Sequence, residues 1–255
     1  MLKRWLAHPD TRGLDIDDPR LTQLRRKIIS EKNFLHQIYQ EWYRAIAAAL
    51  PAGDDPVLEI GSGAGFLHEY VPGLVRSEVF DCPGTDVILN ALTLPLPAAS
   101  LRAIVMTDVL HHLPEPRRFF CEAARCVRSG GVIAMIEPWV SAWSRWVYVH
   151  LHHEPFDPDA TDWSFPATGP LSGANGALPW ILFERDRARF ETEFPQLAIR
   201  TIQPQMPFRY LVSGGVSMRS LMPGATFGIW RGVEGILHPL IKSIAMFSFI
   251  VLERL

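Results

Sequence analysis

One stretch constrains this chain more than any other: Val57-Leu58-Glu59-Ile60-Gly61-Ser62-Gly63-Ala64-Gly65. An apolar run that ends in Gly-x-Gly-x-Gly reads as a strand delivering the chain to a tight turn. Such a turn exposes backbone N–H groups, and its glycines let a ligand approach the main chain closely. The residues after the turn keep an alternating rhythm. Phe66–Val71 reads as a short helix stopped by Pro72-Gly73, and Ser77–Phe80, Asp86–Leu89 and Ala103–Thr107 read as strands. Pro116–Val127 reads as a helix with Phe119, Phe120, Ala123 and Val127 on its buried face. Gly130-Gly131 is expected to stop that helix, and Val132–Ile136 to form the next strand. This alternation predicts an α/β fold with a mostly parallel sheet and crossover helices.

The flanks read differently. Residues 1–20 are polar, with Asp17-Asp18-Pro19 as a helix start. Leu21 to Leu50 then carries Leu21, Leu24, Ile28, Leu35, Ile38, Trp42, Ile46 and Leu50 at helical spacing, divisible at Ser30, and Pro51-Ala52-Gly53 ends it. Tyr39, Trp42 and Tyr43 read first as the core face of this amphipathic helix, and alternatively as a cover for a ligand. Between Trp139 and Trp180 lie five of the eight tryptophans among many Pro, Gly and His, which suggests an insertion or lid. A helix over about Ile181–Phe194 and a strand over Ala198–Gln203 come next. Residues 204–227 are Gly/Pro-rich, and a helix near Ile229–Leu237 and a strand over Ala245–Leu252 close the chain. The expected organisation is an N-terminal helical cap, 1–52, and an α/β domain, 53–255, with insertions at about 139–180 and 204–227.

Two ligand classes use such a glycine turn, dinucleotides and S-adenosylmethionine. The dinucleotide fingerprint wants a third glycine three positions after the second, where this chain has Phe66. Glu59 would also repel a pyrophosphate but favour a ligand with ammonium and sulfonium charges. The sequence resembles class I S-adenosylmethionine-dependent methyltransferases of the small-molecule type. The resemblance rests on the acid-preceded glycine motif, on Glu78 lying 17 residues after Gly61, and on Asn90-Ala91-Leu92-Thr93-Leu94-Pro95-Leu96. It rests further on Ile104-Val105-Met106-Thr107-Asp108-Val109-Leu110-His111-His112-Leu113-Pro114, and on Glu122-Ala123-Ala124-Arg125-Cys126-Val127-Arg128-Ser129-Gly130-Gly131. It covers roughly residues 55–138. Asn90 departs from the family's usual aspartate.

The resemblance implies a Rossmann-like methyltransferase fold, a seven-stranded sheet whose last strand is antiparallel. It implies S-adenosylmethionine as cofactor, S-adenosylhomocysteine as product, and cofactor contacts from Glu59, Gly61, Ser62, Gly63, Gly65, Glu78, Val79, Asn90, Ala91, Leu92 and Thr107. Glu78 would take the ribose hydroxyls through its two oxygens. Asp108, His111, His112 and Glu137 follow strand ends, where α/β folds bind ligands, and are the candidate acids or bases. The aromatic segment 139–180 suggests a ring-bearing acceptor, a sugar or a lipid-linked molecule. His150 and Glu154 share i, i+4 spacing, but the sequence shows no further ligand cluster beside them, so no metal is expected.

Composition narrows the classes. A formal net charge of −2 gives no basic field for nucleic acid, and Arg25-Arg26-Lys27 and Arg117-Arg118 read as solvated helix faces. Cys82, Cys121 and Cys126 form no C-x-x-C pair, which fits a reducing cytoplasm rather than a disulfide framework. No signal peptide is expected at the start. Ile236–Leu252 is broken by His238, Pro239 and Lys242 and falls short of the ~20 apolar residues of a membrane span, though peripheral association stays open. The alternatives are a nicotinamide-dependent oxidoreductase and a non-catalytic methyltransferase-like interaction protein.

Overall fold

The computed structural model describes residues 8–11, 20–152, 154–167, 169 and 173–255. The expected helix start at Asp17-Asp18-Pro19 lies outside the described residues. Seven strands form one sheet: β1 (Val57–Ile60), β2 (Leu74–Glu78), β3 (Val87–Ile88), β4 (Leu101–Thr107), β5 (Val127–Pro138), β6 (Leu197–Gln205) and β7 (Phe247–Arg254). Their order is β3-β2-β1-β4-β5-β7-β6. Strands β1 to β5 pair in parallel, and β7 runs antiparallel between β5 and β6. This is the Rossmann-like methyltransferase fold that the resemblance implied. The order reverses between β1 and β4, so the crevice beyond their carboxyl ends is where such a sheet binds ligands.

Each sheet face is covered because successive strand residues point to opposite sides. Leu58, Ile104, Met106, Ile133 and Ile250 face one side. There they pack with Phe119, Phe120 and Ala123 of α3 (Pro116–Cys126) and with Phe183 and Phe190. Val57, Val105, Ala134, Phe249 and Val251 face the other side, against Phe34, Ile38, Trp42 and Ile46 of α2 (Asn33–Ala49). The N-terminal helices are therefore one layer of the sandwich, with α1 (Arg20–Glu31) leading into α2. Fully burying an apolar side chain of this size is worth roughly 1.5–3 kcal/mol, so α2 contributes to the core as much as to any cover.

Several boundaries differ from expectation for local reasons. The break between α1 and α2 falls at Lys32 (φ −86°, ψ 85°), not Ser30. The Ser30 hydroxyl bonds back to the Lys27 carbonyl at 2.8 Å, which keeps it inside the helix. Phe66–Val71 yields only a 3₁₀ turn, Leu67–Glu69, because Val71 precedes Pro72 and is disfavoured from helix. Strand β2 starts directly after Gly73, leaving Val79 and Phe80 beyond its end.

Gly130-Gly131 does not stop α3. That helix ends at Cys126, with Val127 already extended. The glycines lie in a bulge of β5, where Val127 pairs with Leu101 and Val132 with Ala103. Gly130 takes φ +73°, and a Cβ on Gly131 would lie 2.5 Å from Val127 Cγ1 and 2.7 Å from the Arg102 carbonyl. After β5, α4 (Ala142–Leu151) starts with a reciprocal cap between Ser141 and Ser144. The helix expected over Ile181–Phe194 is interrupted. A π turn, Ile181–Arg185, precedes α5 (Arg187–Glu193), and α6 (Phe227–Ile236) precedes β7.

Candidate cofactor and active site

A pocket of about 740 Å³ opens at the carboxyl ends of β1, β2 and β4, within the ~300–1,000 Å³ of small-molecule sites. Glu59, Gly61, Ser62, Gly63, Gly65 and Glu78 line it, as do Val79, Asn90, Ala91, Leu92 and Thr107. The glycine turn is shaped by its surroundings. Gly61 (φ +64°) and Gly63 (φ +41°) occupy the left-handed region that favours glycine. A Cβ on Gly61 would lie 2.6 Å from Val109 Cγ2, and one on Gly65 2.6 Å from the Tyr43 hydroxyl. The turn is anchored to β2 by the Ser62 N–H and hydroxyl, which donate to the Ser77 carbonyl at 3.0 and 3.2 Å.

Two carboxylates face this turn. Glu78 Oε1 accepts the Gly63 N–H at 2.7 Å, and its Oε2 accepts the Val79 N–H at 3.3 Å. Glu59 is buried (3% exposed), and burial, reinforced by the charge of Glu78, pushes its carboxyl up to about 8. A buried acid that ionises with difficulty is suited to a cationic ligand, whose charge would restore the carboxylate. Thr107 adds a buried hydroxyl without a hydrogen-bond partner on the lining. Asn90 uses its side-chain carbonyl on the Leu92 N–H at 2.9 Å, closing a local turn, so one lone pair and the amide nitrogen remain for a ligand. The glycine cradle, the paired acids and the orphaned hydroxyl together fit S-adenosylmethionine.

The N-terminal helices reach the same pocket. Thr22, Arg25 and Ile29 of α1 and Tyr39 and Tyr43 of α2 line it. Arg26 donates to the Gly63 carbonyl at 2.7 Å. The run Arg25-Arg26-Lys27 is thus not merely a solvated face, and its role escaped sequence reading because a basic run on a helix carries no sign of what lies opposite. Tyr39 and Tyr43 serve the core and the pocket at once, whereas Trp42 packs against Phe247 with ring centroids 5.0 Å apart. Arg117 is also engaged, with its guanidinium 4.3 Å from the Trp163 ring centroid.

The four candidate acids and bases separate into two layers. Asp108 and His112 line the pocket, while His111 and Glu137 lie behind them, each 0% exposed. The expectation that Glu137 faces the crevice does not hold. Its Oε1 accepts the Val109 and Leu110 N–H groups at 2.9 and 2.7 Å, and its Oε2 meets His111 Nδ1 at 2.8 Å. Such a fully engaged carboxylate braces the loop after β4. In that loop Asp108 holds φ +63°, an uncommon conformation for a residue with a side chain, stabilised by its N–H bond to the Ile136 carbonyl at 2.8 Å. Burial pushes the Asp108 carboxyl up to about 7, opposed by His111 and assisted by Glu154 and Glu137. Burial also pulls His112 down to about 3, with His111 adding to the effect. Burial alone would lower His111, but its bond to Glu137 and the nearby Glu154 carboxylate raise it well above the ordinary range.

The segment 139–180 behaves differently from expectation. His150 turns back onto the Trp146 carbonyl at 2.8 Å, away from Glu154, and His153 lies outside the described residues. None of the five tryptophans lines the pocket. Trp139 and Trp163 are buried in the core, and the Trp163 indole N–H donates to Asp186 at 2.8 Å. These tryptophans therefore supply no wall for a ring-bearing acceptor. Among the described residues of this segment, Ala167 and Gly169 line the pocket.

The fold is Rossmann-like and of the methyltransferase type, with a glycine cradle at the carboxyl end of β1. Residues 58–135 match the methyltransferase domain family. The chain is 29% identical over 121 residues to a probable S-adenosylmethionine-dependent methyltransferase of Mycobacterium tuberculosis, covering 42% of this chain and 43% of that protein. A counterpart in Mycolicibacterium smegmatis is 29% identical over 124 residues, covering 43% of this chain and 48% of that one. The match thus spans less than half the length of these relatives. In fold, the chain is similar to geranyl diphosphate C-methyltransferase from Streptomyces coelicolor, with a TM-score of 0.53, 14% identity and coverage of 98% and 89% of the two chains.

Proposed function

We propose that this chain binds S-adenosylmethionine in the glycine-turn pocket and transfers its methyl group to a small-molecule acceptor, releasing S-adenosylhomocysteine. The observation that carries this reading is the pair Glu59 and Glu78 flanking one glycine turn, with Glu78 held on the Gly63 N–H at 2.7 Å. The cofactor brings a methyl group already activated on a sulfonium. The protein's residues then bind, orient and exclude water, so that proximity and alignment carry the catalysis. Glu59 faces the cationic part, Glu78 the ribose, and Asn90, Ala91 and Leu92 the base. A proton acceptor is needed only when the nucleophile must lose a proton, and Asp108 and His112 are the candidates on the lining. His111 and Glu137 act through them, by positioning the loop.

The glycine turn departs from the dinucleotide pattern. Phe66, standing where a dinucleotide site wants glycine, stacks on His36 with centroids 4.6 Å apart. Calorimetric titration of the full chain with S-adenosylmethionine, S-adenosylhomocysteine and the nicotinamide cofactors tests the reading. Binding of the first two supports it. A folded chain that binds neither overturns it, and a chain that binds both without turning over any acceptor is the non-catalytic form of the fold.

Peripheral association has its own observation. Ile229, Val233, Ile236 and Leu240 are exposed along α6 and the turn after it, Ile236 by 80%. No helix among the described residues is long and apolar enough to cross a membrane. Cosedimentation with liposomes, compared with the Ile229→Ser/Ile236→Ser variant, tests this.

A further inference from the structure

At the pocket wall and just behind it, three side chains converge that neither the glycine turn nor the proposed transfer requires to meet. His111 and His112 come from the loop after β4, and Glu154 from the segment after α4. One ligand atom of each lies within 4.8 Å of the others. All three are largely buried, with side-chain exposures of 1%, 10% and 16%.

The partners of the far ring nitrogens set the tautomers. His112 Nδ1 faces the Gly173 carbonyl at 3.2 Å, so that nitrogen carries the proton and Nε2 presents a lone pair. His111 Nδ1 faces the Glu137 carboxylate at 2.8 Å and donates to it. Both Nε2 atoms then point toward Glu154. His111 Nε2 lies 3.6 Å from Glu154 Oε2 and 4.0 Å from Asp108 Oδ1, and His112 Nε2 lies 4.0 Å from Glu154 Oε1. His111 Nε2 is buried without a hydrogen-bond partner.

These separations discriminate between two ways of filling the space. A charge-assisted hydrogen bond closes to about 2.7–2.9 Å, and none of the three contacts does. Two atoms that each lie ~2.0–2.1 Å from a zinc ion in tetrahedral array are separated by ~3.4 Å. The two histidine contacts with Glu154, at 3.6 and 4.0 Å, lie just beyond that spacing, and all three ligand atoms stay within 4.8 Å of one another, so a modest contraction would surround an ion. Its outer partners are also those of a metal site, since ligating histidines commonly donate their other N–H to a carboxylate or a backbone carbonyl. Glu137 and Gly173 fill those two roles.

We propose that His111 Nε2, His112 Nε2 and the Glu154 carboxylate bind one divalent cation of the zinc type, with Asp108 beside it. Two imidazoles and a carboxylate select a borderline transition metal over magnesium or calcium, which prefer oxygen ligands alone. His112 and Asp108 also line the large pocket, so an open coordination position faces it and suits an oxygen of a bound molecule. Where His111 carries a proton on Nε2, the ion displaces it to solvent. His152 Nδ1 lies 3.8 Å from Glu154 Oε2. Cation binding here does not depend on whether the neighbouring pocket transfers a methyl group.

The test uses the full chain, stripped with a chelator and titrated with Zn²⁺ alone, with Mg²⁺ in parallel. One equivalent of Zn²⁺ should bind, raise Tm, and release a proton when His111 starts protonated. Co²⁺ in its place should give the intense visible absorption of a low-symmetry, four- or five-coordinate site. Glu154→Gln and His112→Gln should each weaken Zn²⁺ binding at least tenfold, and Glu137→Gln about 10–100-fold through loss of ligand orientation. Circular dichroism of the metal-free variants separates lost ligands from lost folding, and His112→Gln is the fallback should Glu154→Gln unfold. Absence of stoichiometric Zn²⁺ in the folded wild type overturns the proposal. So does Zn²⁺ binding that both ligand variants leave unchanged, or a preference for Mg²⁺.

Discussion

The Arg26 guanidinium donates to the Gly63 carbonyl across 2.7 Å, which fastens α1 to the turn that cradles the cofactor. The turn's far side is held by Glu78 on the Gly63 N–H, so this one glycine is gripped through both its N–H and its carbonyl. Replacing Arg26 by Ala should loosen the cradle while leaving the sheet intact. A hydrogen bond involving a charged group contributes about 1.5–3 kcal/mol, less here because the group is part-exposed, so cofactor affinity should fall about tenfold. Calorimetry of the variant against S-adenosylhomocysteine checks this, and unchanged affinity would show that α1 does not support the turn.

The turn itself tolerates little. Gly63→Arg places a side chain on a φ of +41°, with its Cβ 3.3 Å from Glu78 Oε1. Glu78→Ala removes the acceptor of the Gly63 N–H. A native-state ligand raises Tm according to its affinity and concentration. Each variant should therefore lose most of the thermal shift that S-adenosylmethionine gives the wild type. Retention of the full shift by both would place the ligand elsewhere.

Glu59 predicts a pH dependence with a definite sign. Its carboxyl is pushed up to about 8 by burial and by the charge of Glu78. Between its ordinary range near 4.5 and about 8, the folded chain holds a proton that the unfolded chain has lost. Glu59's contribution to stability therefore falls as pH rises through that window. A cationic ligand favours the ionised form, so binding below pH ~8 should expel this proton, and affinity should rise with pH toward 8. Titrations in buffers of different ionisation enthalpy count the protons. The Glu59→Gln variant should lack this component, and an identical profile in that variant would refute the assignment.

Stability has a separate weak point. Glu234 on α6 accepts the Phe208 and Arg209 N–H groups at 2.9 and 2.8 Å and also pairs with the Arg209 guanidinium, which reaches Glu41 on α2 at 2.6 Å. Arg209 and Glu234 are both 7% exposed. Glu234→Ala leaves a buried cation with half its partners, a change that typically costs about 3–5 kcal/mol. Urea denaturation should show the midpoint falling by the corresponding amount at unchanged slope.

The sequence alone determined the parts that local chemistry encodes. Val57–Ile60 and its glycine turn were legible because the apolar run, the alternating glycines and Glu59 sit side by side in the chain. The parallel sheet followed from the alternation of short apolar runs with helical spacing, and the cofactor followed from family spacing. The tertiary structure alone decided what lies opposite each residue. Gly130-Gly131 became a strand bulge because the Arg102 carbonyl crowds Gly131 from a neighbouring strand. Trp139 and Trp163 lie in the core rather than the pocket, and the Trp163 partner, Asp186, is distant in sequence. Glu137 turned inward to brace Val109, Leu110 and His111, and Glu154 met two histidines more than forty positions earlier. The helical spacing of His150 and Glu154 pointed to each other, but three-dimensional packing chose other partners for both. The glycine turn was readable for the opposite reason, since its chemistry is carried by backbone groups that lie next to one another along the chain.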